Sequence, residues 1–298
     1  MSGAQPRNLA GPASLVVLAA VVQELGAALA VGLFVALGPV GTTCARFVIA
    51  GVILCAAVRP RVRSFTREAW KATLALAAGL SIMNLAFYNA IAHIPLGIAV
   101  TIEICGPLAV SVSLGRRRIA WLWALLAFLG VALLAIGSAG LGPKDIRGVL
   151  FAAVAAAGWA GYILASSRVA AVLPRLDGLA VATLIGAVVT APLAAFAVDM
   201  GALWDWRILG IAVTVALMSS VIPYSLELVS LRSLPPATFA IVTCLSPVIA
   251  ALAGWVILDQ QLTWMHYAAI VLVSVASVGA VRTALPGDAR HPPPVDLF

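Results

Sequence analysis

Two stretches decide the fold: IPLGIAVTIEICGPLAV at residues 94–110 and LPPATFAIVTCLSPVIA at residues 234–250. At an offset of 140 residues, Pro95 falls on Pro235 and Pro107 on Pro247. Few other side chains match, and proline is frequent in membrane helices, so chance competes with repetition at this point. The position of each stretch among the apolar runs favours repetition. Ten runs, broken by charge, Gly and Pro, cover about 13–37, 41–58, 70–91, 95–115, 119–138, 148–168, 179–198, 207–231, 235–258 and 263–282. The first stretch lies in run 4 and the second in run 9, which divides the chain into two halves of five. Five is odd, so the second half enters the membrane inverted relative to the first, a plan that places a site at the interface of the halves.

Composition supports spanning helices. Hydrophobic residues make up 63% of the 298 and charged residues only 10%, against about 45–50% and 25% in soluble domains. A soluble core cannot hide that much apolar surface. A membrane helix needs about 20 mostly apolar residues, and strands of this kind would leave unpaired backbone in lipid. The expected fold is an all-α integral membrane protein of ten spans. Residues 13–138 form the first five-helix repeat and 148–282 the second, with cytoplasmic tails at 1–12 and 283–298.

The net charge of +7 does not indicate nucleic acid, because the basic residues sit in short runs between spans. With the N-terminus inside, 14 of the 18 Lys and Arg fall on the inner side. Lys144, Arg147 and Arg207 fall outside, and Arg46 lies within a span. That asymmetry orients both termini to the cytoplasm. The four cysteines lie in apolar runs without a CxxC pair, and read as small buried hydrophobes.

Ionisable groups inside spans are expensive and therefore informative. Four occur: Glu24, Arg46, Glu103 and Glu227. Arg46 either pairs with an acid such as Glu24, reaches the nearer headgroups, or meets a substrate carboxylate. Glu103 stands one turn before Pro107, which cannot donate to the Glu103 carbonyl; Pro107 and Pro247 are read as helix kinks. Glu103 is open to two readings, a cavity carboxylate or a helix-packing hydrogen bond. Asn84 and Tyr88 share a face of span 3, Trp159 and Tyr162 of span 6, Tyr224 and Glu227 of span 8, and Thr243 matches Glu103 in span 9. Mid-span aromatics with a few polar groups wall a cavity or pack helices. Trp70, Trp121, Trp123, Trp204, Trp206, Trp255 and Trp264 lie near span ends and read as interfacial anchors.

Absences narrow the chemistry. There is no GxxxxGK[ST] and no HExxH, and neither lysine, Lys71 or Lys144, lies at mid-span. A P-loop, a His-built metal site and a mid-membrane Schiff base are therefore not expected. No catalytic residue, cofactor or metal is assigned.

The stretches at 94–110, IPYSLELVSLRSLP at 222–235 and ILDQQLT at 257–263 carry a resemblance. The chain resembles the drug/metabolite transporter superfamily in its EamA-type ten-span branch, near the threonine/homoserine and aromatic amino-acid exporters. The family often has Gly-Glu near the last stretch, where this chain has Leu258-Asp259. The resemblance implies two inverted five-span halves and a central cavity. It also implies export of an amino acid across the bacterial inner membrane by alternating access, without catalysis. Such a protein meets a small-molecule substrate and the lipid bilayer, and acts as a monomer or homodimer. The rivals are a multidrug or quaternary-cation exporter of the same fold and a membrane-embedded enzyme.

Overall fold

The computed structural model describes residues 10–114, 119–137, 143–173, 175–197, 200–233 and 243–284. Pro235, the Arg116, Arg117 and Arg118 run, and most of both tails lie outside these residues. All regular structure among them is helical. In chain order the helices are α1 (Ala10–Val31), α2 (Phe34–Val58), α3 (Arg67–Ile91), α4 (Leu96–Glu103), α5 (Cys105–Leu114), α6 (Ile119–Gly137), α7 (Pro143–Val172), α8 (Asp177–Ala197), α9 (Trp206–Ala216), α10 (Ile222–Ser233), α11 (Ser246–Leu258) and α12 (Trp264–Ala284). A π-helical turn, Leu217–Val221, joins α9 to α10.

Six helical stretches are long and apolar enough to cross a membrane: Ser14–Val31, Phe34–Val58, Arg67–Ile91, Asp145–Val172, Asp177–Phe196 and Trp206–Glu227. Four shorter apolar stretches, Leu96–Val110, Trp121–Val131, Ser246–Leu258 and Trp264–Gly279, accompany them. The polarity is inside out for a soluble protein. Phe196 is 94% and Val188 68% exposed, whereas Glu24 and Arg46 are each 3% exposed. Apolar side chains facing outward around buried charges suit lipid, not water. This is a multi-pass membrane protein.

The boundary between the first two spans differs from the sequence reading. The first apolar run continues to Leu37, but α1 ends at Val31, and 34–37 form the first turn of α2. Two backbone features account for it. A turn at Gly32 and Leu33 closes α1, and Gly38 takes φ 59°, ψ 173° just before Pro39, bending α2. Neither leaves a charge in the run, so hydropathy reads straight through both.

Helix starts and breaks follow local chemistry. Thr66 caps α3, its Oγ1 accepting from the Ala69 N–H at 3.1 Å, and Asp205 caps α9 by accepting from the Arg207 N–H at 2.8 Å. The helix through 94–110 is interrupted at Ile104, between α4 and α5. The offset of 140 carries that interruption to the turn at Cys244 and Leu245, directly before α11 and its Pro247.

Packing brings these helices around one centre. α3 lies along α7, α2 along α8, α4 along α11 and α6 along α12, while α1 packs on the π turn, α10 and α11. The α3–α7 seam is tight because it is built on glycine. A Cβ on Gly79 would stand 2.9 Å from the Tyr162 backbone nitrogen, and one on Gly158 would stand 2.6 Å from that of Met83. Small residues let helix backbones approach closely in membranes, and here they set Tyr162 beside the face of α3 that carries Asn84. The Trp123 ring packs against Gly279 of α12. Trp121, Trp204, Trp206, Trp255 and Trp264 are exposed.

Candidate functional site

A cavity of about 30 Å³ lies where the central helices meet. α1 supplies Gln23 and Glu24, α2 supplies Arg46, and α3 supplies Met83, Asn84, Phe87 and Tyr88. Glu103 is the last residue of α4, at the interruption. α7 adds Trp159 and Tyr162, the π turn adds Ser219, and α10 adds Tyr224 and Glu227. All four intramembrane ionisable residues therefore face one space. Of the residues singled out by sequence, Asn84, Tyr88, Glu103, Trp159, Tyr162, Tyr224, Glu227, Arg46 and Glu24 come together here. Thr243 does not line the cavity; it is half-buried just before the turn that precedes α11.

Arg46 organises one side. Its Nη1 donates to Tyr88 Oη at 3.2 Å and its Nη2 donates to Asn84 Oδ1. The guanidinium carbon lies 4.7 Å from the centroid of the Tyr88 ring, within cation–π range. Asn84 Nδ2 donates to the Leu80 carbonyl at 2.8 Å and to Tyr224 Oη at 3.4 Å. The guanidinium is thus held by neutral groups, and among the described residues it forms no ion pair with Glu24 or another acid. It does not reach outward to headgroups. Its Nε, buried, has no hydrogen-bond partner.

The other walls are acidic and aromatic. Glu24 Oε2 is buried without a partner, and Glu103 and Glu227 line the same space. The Tyr162 and Tyr224 rings are 6.0 Å apart between centroids at 34°. A buried cation held only by neutral groups and a buried carboxylate oxygen without a partner are both costly. A ligand carrying the opposite charges would satisfy both.

The free space is small. A buried water needs roughly 10–15 Å³ of such volume, so the cavity accommodates about two or three waters. That is less space than an amino acid occupies.

Gln23 and Ser219 line the cavity although the sequence does not single them out. A signal for Ser219 was present. Pro223 stands four residues later and cannot donate to its carbonyl, and the helix responds with the π turn, in which the Ile222 N–H bonds to the Leu217 carbonyl. Such turns concentrate at functional sites. Among the described residues, no group of three or more His, Cys, Asp or Glu side chains could hold a metal.

Comparison with known proteins agrees with a transporter. Residues 146–282 match the model of the EamA-like transporter family. The threonine/homoserine exporter RhtA of Salmonella typhimurium strain LT2 is 36% identical over 261 residues, covering 87% of this chain and 88% of the exporter. The chain belongs to the EamA-like transporter family. The threonine/homoserine exporter RhtA of Escherichia coli K12 is 35% identical over 258 residues, with 87% of each chain covered. A transporter of Bacillus subtilis, YwfM, is 26% identical over 75% of this chain and 78% of its own length. A solved crystal structure shares the fold at a TM-score of 0.63 and 21% identity, covering 92% of this chain and 98% of its own.

Proposed function

We propose that this protein is a secondary transporter that exports a small amino acid, threonine or homoserine in the first place, across the bacterial inner membrane. One observation carries the reading: a buried guanidinium without an acidic partner among the described residues and buried carboxylates face the same small cavity. A zwitterion supplies a partner to the guanidinium and to one carboxylate. Arg46, with Asn84 and Tyr88, takes the substrate carboxylate, and Glu24 or Glu103 takes the ammonium. Trp159, Tyr162 and Tyr224 form the apolar wall. The named activity of the RhtA exporters fits this chemistry.

Alternating access between two inverted five-helix halves is the mechanism we assign. The pairing of helices supports it. Exchanging the halves turns the α3–α7 seam into α10–α1 and the α3–α8 seam into α9–α2, and turns α2–α8, α4–α11 and α6–α12 into themselves; all of these occur. Two residue pairs exactly one repeat apart also come together. Asn84 hydrogen-bonds Tyr224, and Ile104 and Cys244 share one buried cluster. Equivalent residues of two related halves meet only at their common axis, so that axis runs beside the cavity. Rocking the halves about it breaks the Asn84–Tyr224 contact and opens the space that the closed state lacks.

Export of quaternary cations is the second reading, favoured by the carboxylates and the aromatic wall. Arg46 weighs against it, because an unpaired guanidinium repels a cation. Proteoliposomes loaded with L-homoserine and free of ATP separate the two. Counterflow of labelled L-threonine, inhibited by L-homoserine and not by a dication such as paraquat, is expected. Inhibition by the dication alone, or an absolute need for ATP, would overturn the amino-acid reading.

A further inference from the structure

A zwitterion partners Arg46 and one carboxylate of the cavity, and two neutral groups there also lack a partner. Gln23 Oε1 and Ser219 Oγ are both buried without a hydrogen-bond partner, and both residues line the cavity. Ser219 is 2% exposed. Several other hydroxyls inside the spans satisfy themselves: Thr42, Thr101 and Thr183 donate to the carbonyl four residues earlier at 2.7, 2.6 and 2.8 Å. Ser219 makes no such bond. The π turn presses it against α1, where a Cβ on Gly26 would collide with its Oγ and stand 2.8 Å from Met218 Cβ. Gly26 is three residues after Gln23, so Gln23 occupies the same face of α1 one turn away. A serine hydroxyl and an amide oxygen therefore lie on the same side of the cavity without bonding each other, with the glycine making room for the hydroxyl.

We propose that Gln23 and Ser219 recognise a hydroxyl on the substrate side chain and make this transporter selective for hydroxyl-bearing small amino acids. The proposal rests on the amino-acid reading above. A hydroxyl is donor and acceptor at once; it donates to Gln23 Oε1 and accepts from Ser219 Oγ. A carboxylate would meet the lone pairs of Gln23 Oε1, and an ammonium could not accept the serine proton. L-2-aminobutyrate lacks the hydroxyl of both threonine and homoserine, and it would leave both protein groups buried and unpaired. Sites that hydrogen-bond a substrate hydroxyl reject the analogue without it far better than apolar pockets reject a size change.

The test measures KM for counterflow of L-homoserine and of L-2-aminobutyrate in proteoliposomes. The wild-type protein should favour homoserine by about tenfold or more, the effect of one unsatisfied buried group. Ser219→Ala and Gln23→Leu should each remove most of that preference by weakening homoserine, with 2-aminobutyrate unchanged. Ser220→Ala removes the neighbouring buried hydroxyl, which also lacks a partner but does not line the cavity, and should keep the preference. Ser219→Ala should also melt no lower than wild type, since it deletes an unpaired buried hydroxyl. Equal loss for both substrates, or a wild-type protein that does not discriminate, would overturn this inference and leave amino-acid export standing. Absence of counterflow with any amino acid would overturn export and this inference together.

Discussion

The interruption at Ile104 and the one at Cys244 and Leu245 lie one repeat apart, yet they carry different chemistry. At the first, Pro107 removes the donor for the Glu103 carbonyl, and the Glu103 carboxylate faces the cavity. At the second, Pro247 sits in the first turn of α11, and the equivalent of Glu103 is Thr243, set away from the cavity. The backbone break is kept in both places while the charge is present in one. The two breaks also meet, since Ile104 and Cys244 pack in the same cluster. The proposed amino-acid substrate, in contrast, has one ammonium and needs one acidic wall. Repetition thus predicts geometry better than it predicts chemistry.

That difference can be broken by mutation. Glu103→Gln should lower turnover by about tenfold to a hundredfold, the range for losing a charged hydrogen bond, whereas Thr243→Val should change it by less than about threefold. Counterflow per folded molecule checks both, and equal effects would erase the distinction. A smaller effect is expected where the two interrupted helices touch. A Cβ on Gly97 of α4 would stand 2.8 Å from Ala251 Cα of α11, while one on Gly161 meets open space. Gly97→Val should cost about 1–3 kcal/mol by overpacking and Gly161→Val much less, read as melting temperature in detergent. The smallest effect belongs to the end of the same contact. Gln260 Oε1 accepts from the Leu96 N–H at 3.0 Å, closing the start of α4. Gln260→Leu should cost about 1 kcal/mol in melting, and unchanged stability would show that this tie is not needed.

The sequence exposes the cavity residues for a simple reason. Glu24, Arg46, Asn84, Glu103 and Glu227 are polar in runs that are otherwise apolar, and lipid tolerates such groups only on an inner face. Pro107 and Pro247 mark the breaks because a missing N–H is a property of the residue itself. Gln23 and Ser219 stayed hidden because one amide and one hydroxyl per span are ordinary; their significance depends on the π turn and on Gly26. Thr243 misleads for the opposite reason: equivalence by repeat fixes its register but not the side on which the substrate lies. The end of α1 is equally silent, since a Gly38 bend changes direction without changing hydropathy. Asp259 of the ILDQQLT stretch departs from the family's Gly-Glu, and it adopts a left-handed φ of 53° at the end of α11, a conformation Asp tolerates better than most residues.

The central claim is that the closed cavity binds the substrate carboxylate through Arg46. Equilibrium binding of labelled L-homoserine to purified wild-type protein and to Arg46→Gln tests it most directly, because glutamine retains a polar contact with Asn84 and removes the charge. The wild type should bind, and the variant should stay folded and monodisperse with an affinity at least about tenfold lower. Unchanged affinity in Arg46→Gln would contradict it.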